Sequence, residues 1–248
     1  MIDYRFNDKT VIVTGSGSGI GKSTAIKYLN SGANVVFASK TEREDVLDVI
    51  KSFPSKSIFI KADVSDEGDV ESMIKHAFNR FGSIDILVNN AGVSKGMLLE
   101  DTASNDWDWV MANNVKSCFL CTKHVIPFMK NQRYGKIVNV SSIAGRDKSM
   151  VLGASYSTSK AAIIGFTRHM SSELAKFNIN VNAVCPSQTK TPLLDALLTE
   201  EIEEALLKKI PLGYIQSPDQ VANVILFLSS DESNYMTGSI VDINGGLL

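Results

Sequence analysis

Tyr156-Ser157-Thr158-Ser159-Lys160 sets a phenol and an amine four residues apart. On a helix that spacing puts both side chains on one face, one turn apart. A tyrosine ordinarily titrates near pH 10, so exchanging its proton near neutrality requires a drop of about three pH units, worth about 4 kcal/mol. A cation about 4 Å away, at an effective dielectric of about 20, supplies roughly that energy. The pair is therefore adequate in scale to give or take a proton at a substrate oxygen. Spacing alone does not establish this, because Tyr-x-x-x-Lys recurs by chance on amphipathic helices.

A second cluster, Thr14-Gly15-Ser16-Gly17-Ser18-Gly19-Ile20-Gly21, follows the β-branched run Thr10–Thr14 and opens a helical pattern. Glycines permit positive φ and let backbone approach a pyrophosphate closely. The helix N-terminus adds free N–H groups and the positive end of a dipole. That strand-to-helix context points to a dinucleotide-binding turn. A nucleoside-triphosphatase phosphate loop is the rival, since Gly21-Lys22-Ser23 follows; it needs glycine five residues before Gly21, where Ser16 stands. Lys22 and Ser23 are therefore read as residues of the first helix turns. An acid ending the second strand would hold a ribose 2′-hydroxyl, whereas cations there would hold a 2′-phosphate. Ser39 stands in place of the acid and Lys40 and Arg43 follow, which favours NADP(H) and leaves NAD(H) open. A solvated loop lysine is the plain alternative for Lys40.

Other groupings carry less. Ser157-x-x-Lys160 also matches the serine–lysine pair of penicillin-recognising enzymes, but their Ser-Asp-Asn and Lys-Thr-Gly elements do not occur. Cys118-x-x-Cys121 with His124 resembles a metal or redox set. It lies mid-helix, where Cys118 and His124 diverge by about 120°, so core packing is expected and no metal site is assigned. His76 and His169 are read as ordinary helix residues. Trp107, Trp109 and Met111 are expected to pack against the sheet.

The elements that must position these residues alternate regularly. Strands are expected at Thr10–Thr14, Asn34–Ser39, Ser57–Lys61, Ile86–Asn89, Lys136–Val140, Asn180–Val184 and Ser239–Ile243. Helices are expected at Gly19–Asn30, Glu67–Phe81, Thr102–Lys130, Ser155–Lys176 and Ser217–Ser229. This alternation predicts an α/β, Rossmann-type, doubly wound and mostly parallel seven-stranded sheet with helices on both faces. Without repeats or a break in composition, residues 1–248 read as a single domain. The acidic, leucine-rich stretch Ser187–Pro211 interrupts the rhythm where such sheets keep their ligand. It is expected to be a lid, with a surface helical hairpin as the alternative.

Bulk properties exclude several classes of function. A net charge of −2 and a pI near 6.0 leave no footprint for nucleic acid or an anionic membrane. No apolar run is long enough to span a bilayer, and none resembles a secretory signal. Three cysteines argue for a reducing compartment, so a cytoplasmic location is expected.

Taken in order, TGSGSGIG at Thr14–Gly21, NNAG at Asn89–Gly92, Asn114, Ser142, YSTSK at Tyr156–Lys160 and Pro186 make the whole chain resemble the short-chain dehydrogenase/reductase family in its compact form. The resemblance implies hydride transfer between nicotinamide and a ketone or secondary alcohol, with Tyr156 as acid/base and Ser142 bonded to the reacting oxygen. It implies that Lys160 also holds the nicotinamide ribose and that Asn114 binds a water linking Lys160 to solvent. Gly15, Ser16, Ser18, Gly19, Ile20 and Gly21 would cradle the cofactor, with Ser39 and Lys40 at its ribose. Asp63 and Val64 would hold the adenine, and Asn90, Ala91 and Gly92 would pack along the adenosine side. Pro186, Thr189 and Thr191 would lie near the nicotinamide. Departures are Ser187 for the family's glycine, Thr189 for an apolar residue, and Ser18 where many NADP users carry arginine. A homotetramer is also implied. Among relatives, 3-oxoacyl carrier-protein reductases dock their carrier through two arginines; Arg133 matches one position and Phe177 occupies the other. A free small-molecule carbonyl or alcohol substrate is thus equally expected, with Met97, Met150, Val151 and Leu152 at the pocket mouth. The alternative of another class is a catalytically silent NADP-binding sensor or scaffold.

Overall fold

The computed structural model describes residues 4–149 and 152–248. The β-branched runs form β1 (Thr10–Thr14), β2 (Asn34–Ser39), β3 (Ser57–Lys61), β4 (Ile86–Asn89), β5 (Gly135–Val140), β6 (Ile179–Pro186) and β7 (Ile240–Ile243). They pair in the order β3-β2-β1-β4-β5-β6-β7, and each pairing is parallel, where sequence alone implied mostly parallel. Parallel neighbours require crossovers, supplied by α1 (Gly19–Asn30), α2 (Glu44–Ser52), α3 (Glu67–Phe81), α4 (Ser104–Met111), α5 (Ser117–Gln132), α6 (Ala154–Leu174), α7 (Pro192–Asp195), α8 (Glu200–Lys209) and α9 (Pro218–Ser229).

Strand periodicity sorts the apolar residues into two cores. Ile12, Val36, Leu87 and Ile137 meet α3, α5 and α6 through residues such as Met73, Leu120 and Leu174. Val11, Val13, Phe37 and Val88 meet α1, α2 and α9 through residues such as Tyr28, Val46 and Ile225. Both faces of the central strands are thereby covered, and β1, β4 and β5 are buried throughout. The connections diverge between β1 and β4, which opens a crevice at their carboxyl ends.

Three expectations needed correction. The helix expected over Thr102–Lys130 is split into α4 and α5 by a π-helical turn at Ala112–Lys116. Buried Val110, Asn114 and Cys118 remain four residues apart across this turn, so the sequence looks continuous. Helix α2 was not anticipated, although Val46, Val49, Ile50 and Phe53 give it one apolar stripe against the second core. Trp109 is not buried against the sheet: it is 41% exposed, and Val110 is the buried residue of α4.

Candidate active site

The glycine turn between β1 and α1 is built for close approach. Gly15 has φ +63°, and a β-carbon there would lie 2.8 Å from Ala91 Cα. At Gly21 a β-carbon would meet Gly15 O at 2.5 Å. Asn90 ties β4 to this turn, its Nδ2 donating to Thr14 O (2.9 Å) and Gly15 O (3.2 Å). Thr14 Oγ1 in turn accepts from the N–H groups of Asn90 and Ala91, both at 3.0 Å. Ser18 caps α1 without a side-chain bond, and no acid occupies the first turn. The helix therefore presents unsatisfied N–H groups and an unopposed positive end, suited to an anion.

Across the crevice, the start of α6 carries Tyr156 and Lys160, and the end of β5 carries Ser142; Tyr156 is 8% exposed and Lys160 4%. Lys160 Nζ donates to Val140 O at 2.9 Å and lies 5.5 Å from the Tyr156 ring centroid. Ser141 Oγ donates to Lys160 O (2.8 Å), which locks β5 to α6. Ser142 Oγ accepts from Ala144 N–H at 3.1 Å. Asn114, in the π-turn, donates through Nδ2 to Val93 O and Ser159 Oγ, both at 2.9 Å, and accepts from Val93 N–H at 2.7 Å. The π-turn thus holds the segment after β4 against the second turn of α6. Gly92 sits in that junction, where a β-carbon would lie 3.4 Å from Lys160 Nζ.

Burial sets the electrostatics. It pushes the Tyr156 phenol up to about 12, with a hydrogen bond to Ser142 pulling the other way. It draws the Lys160 ammonium down to about 8. Desolvation thus prevails at Tyr156, where the sequence led us to expect a neighbouring cation to lower the phenol, and the Lys160 ammonium is turned to Val140. Both groups border one cavity of about 550 Å³, which also takes in Gly15, Ser18, Gly19 and Ile20.

Residues 15–248 match the family model described as enoyl-(acyl carrier protein) reductase. The chain is 39% identical to a 3-oxoacyl-[acyl-carrier-protein] reductase of Thermotoga maritima, over 98% of this chain and 99% of that protein. It belongs to the short-chain dehydrogenase/reductase family. A Staphylococcus aureus protein of the same name is 38% identical, over 96% of this chain and 98% of its own length. The crystal structure of levodione reductase superposes with a TM-score of 0.90 at 30% identity, covering 98% of each chain. This family member is accordingly an oxidoreductase of the CH–OH/C=O couple that uses a nicotinamide cofactor. Its residues fit such a dinucleotide: an uncapped helix N-terminus and close-packed glycines border one side of the cavity, and Lys160 and Tyr156 the other.

Of the residues expected from sequence, Gly15, Ser18, Gly19, Ile20, Asn90, Ala91, Gly92, Ser142, Tyr156, Lys160, Pro186, Thr189 and Thr191 line this cavity together. Gly21 and Asn114 stand behind that lining and shape it. Ser16 is not part of that lining; it is fully buried, and both its N–H and its Oγ donate to Ala38 O (3.2 and 3.3 Å). Val64 is likewise a core residue, 6% exposed. Lys40 is not a free cation, since its Nζ lies 2.9 Å from both Asp63 Oδ2 and Asn113 Oδ1. Burial works to raise the Asp63 carboxyl, but bonds from Ser65 and Lys40 hold it below its ordinary range. Ser39 and Arg43 are the residues beside the turn: Ser39 Oγ and Arg43 Cδ lie 2.9 and 3.6 Å from where a β-carbon at Gly17 would sit. Among the mouth residues, Leu152 lines the cavity, and Met150 and Val151 lie outside the described residues. Met97 does not line it; its segment packs on the outside of Gly153, whose N–H donates to Lys95 O at 3.3 Å. Gln188, Leu193 and Leu197, inside the stretch expected to be a lid, and Ile143 were not singled out from sequence, and all four border the cavity. Position was their available signal, because they follow the carboxyl ends of β5 and β6. Cys118 and Cys121 are buried in α5, with burial pushing the Cys118 thiol up to about 12. His124 instead bonds Glu67 at 3.1 Å.

Proposed function

We propose that this short-chain dehydrogenase/reductase is an NADPH-preferring ketone reductase in which Tyr156, Ser142 and Lys160 carry the chemistry. The observation behind this reading is their convergence on the cavity that also holds the free N-terminus of α1. When bound, the nicotinamide supplies the hydride. Ser142 hydrogen-bonds the substrate oxygen and so fixes the carbonyl. Tyr156 gives its proton to that oxygen; a phenol held at about 12 is reliably protonated, as the acid of a reduction must be. Lys160, drawn down to about 8, is poised to return a proton through a short relay. Asn114 acts as a positioning residue, because its side chain is committed to Val93 and Ser159. A water at Asn114 would then be held by its main chain, since the side-chain amide is engaged.

NADP(H) is supported by the absence of an acid at Ser39 and by Arg43 beside Gly17. The pairing of Lys40 with Asp63 makes Arg43 the cation better placed for a 2′-phosphate, and NAD(H) remains the alternative. The stretch containing α7 and α8 borders the cavity through Pro192, Leu193, Leu197 and Lys209, which supports a lid within a single domain. Its own small core of Leu194, Ile210 and Ile215 would let it move as a unit. A homotetramer is supported by exposed Phe119 on α5 (45%) and Tyr235 just before the edge strand β7 (105%); light scattering of the purified protein tests it. We place the enzyme in the cytoplasm on its three buried, unpaired cysteines.

A second reading, reduction of a carrier-bound 3-oxoacyl thioester, is favoured by the names of the 38–39% identical relatives. Phe177 weighs against it, since it packs at the first core beneath Lys130, 4.4 Å from its ring, and offers no cation of its own. Incubation with NADPH and a panel of ketones and 3-oxoacyl thioesters, followed by absorbance of the reduced cofactor, separates these readings. Tight NADPH binding with no oxidation across the panel would instead indicate a silent sensor or scaffold.

A further inference from the structure

Among the described residues, three buried side-chain oxygens lack a hydrogen-bond partner, and one of them, Gln188 Oε1, belongs to a residue that borders the cavity. The backbone around Gln188 is held on both sides. Ser187 N–H donates to Ile243 O (2.9 Å), and Ser187 O accepts from Thr189 Oγ1 (3.0 Å) and Gln216 Nε2 (3.4 Å). Lys190 N–H donates to Gln216 O at 2.9 Å. The residue is therefore fixed in place while its amide is left without an internal partner. That oxygen is enclosed, so a molecule in the cavity meets the other end of the amide, whose NH₂ is not among the enclosed atoms. Turning the amide about its last torsion exchanges its carbonyl and NH₂, so the group can accept from or donate to whatever fills the cavity.

Apolar Ile143, Leu152, Leu193 and Leu197 border the same cavity. Charged neighbours Asp147, Lys148 and Lys209 are exposed and of mixed sign, so they do not single out an ionic substrate. We infer that Gln188 determines specificity by hydrogen-bonding a neutral polar substituent, a hydroxyl or a second carbonyl, on an otherwise apolar ketone. This inference rests on the ketone-reductase reading above. Fixing the backbone in advance lowers the ordering cost of that contact.

The test compares NADPH oxidation with hexanone, its hydroxyhexanone isomers and the hexanediones, in wild type and in the near-isosteric Gln188→Met. In wild type, at least one polar-substituted ketone should exceed hexanone in kcat/KM by about tenfold or more. In Gln188→Met that ratio should fall by about fivefold or more, read within the variant as polar-substituted ketone against hexanone. Gln188→Asn, an amide one methylene shorter, should change which isomer is best. Equal kcat/KM for all ketones in wild type overturns the inference while leaving the reductase reading intact. A preference preserved in Gln188→Met, or an unchanged isomer order in Gln188→Asn, also overturns it. Absence of wild-type turnover on every ketone contradicts both.

Discussion

Lys160→Met removes a buried ammonium while keeping most of the side-chain volume. Burial draws this lysine from 10.5 down to about 8, so between those values the unfolded chain holds a proton that the folded chain has released. Stability rises with pH wherever the unfolded state binds more protons. Wild-type stability is therefore expected to climb, relative to the variant, from about pH 8 toward about pH 10. The gap of about 2.5 pH units corresponds to about 3 kcal/mol in total, most of it gained by about pH 10. Tyr156, raised to about 12, contributes in the opposite sense above pH 10, but it is present in both proteins. At neutral pH the variant should be at least as stable as wild type: relief of the buried charge exceeds the lost bond to Val140 O, worth about 1 kcal/mol. Urea unfolding of both proteins at steps from about pH 7 to about pH 10 measures the difference. Parallel stability curves would refute the burial of a charged Lys160 as the origin of its lowered pKa.

Other perturbations follow from the same geometry. Ser39→Asp puts a carboxylate beside Gly17 and should shift the NADPH-to-NADH ratio of kcat/KM toward NADH by about tenfold or more; an unchanged ratio would defeat the cofactor assignment. Gly21→Ala drives a β-carbon to 2.5 Å from Gly15 O. It should cost about 1–3 kcal/mol of stability and weaken NADPH binding severalfold, so an unaltered Kd in fluorescence titration would argue against a cofactor cradle at this turn.

The sheet was legible because runs such as Val11-Ile12-Val13 and Ile86-Leu87-Val88 are buried on both faces, and a doubly covered strand has to be continuously apolar. The grouping of Tyr156, Lys160 and Ser142 was legible only through the ordered set of motifs that the chain shares with its family, since Tyr-x-x-x-Lys alone recurs by chance and no local pattern marks Ser142. Non-local pairings were not legible. The link between Lys40 and Asp63 joins the ends of β2 and β3, and neither residue's own neighbourhood announces it. The π-turn at Ala112–Lys116 was hidden because Val110, Asn114 and Cys118 still recur at helical intervals on its buried side. Trp109 was misplaced because an aromatic residue carries the same apolar weight on either side of a helix that is covered on one side only. The depressed Lys160 and raised Tyr156 depend on how completely the crevice excludes water, which packing alone determines.

Tyr156→Phe tests the central claim most directly, because it deletes one hydroxyl from a residue that is 8% exposed and leaves the ring in place. Steady-state oxidation of NADPH with a ketone that wild type reduces should fall by about a hundredfold to ten-thousandfold. NADPH affinity, measured by fluorescence titration of the same sample, should stay within about twofold of wild type, since the change is too small to disturb uniform binding. A variant that binds NADPH normally and retains most of its turnover would contradict Tyr156 as the proton donor.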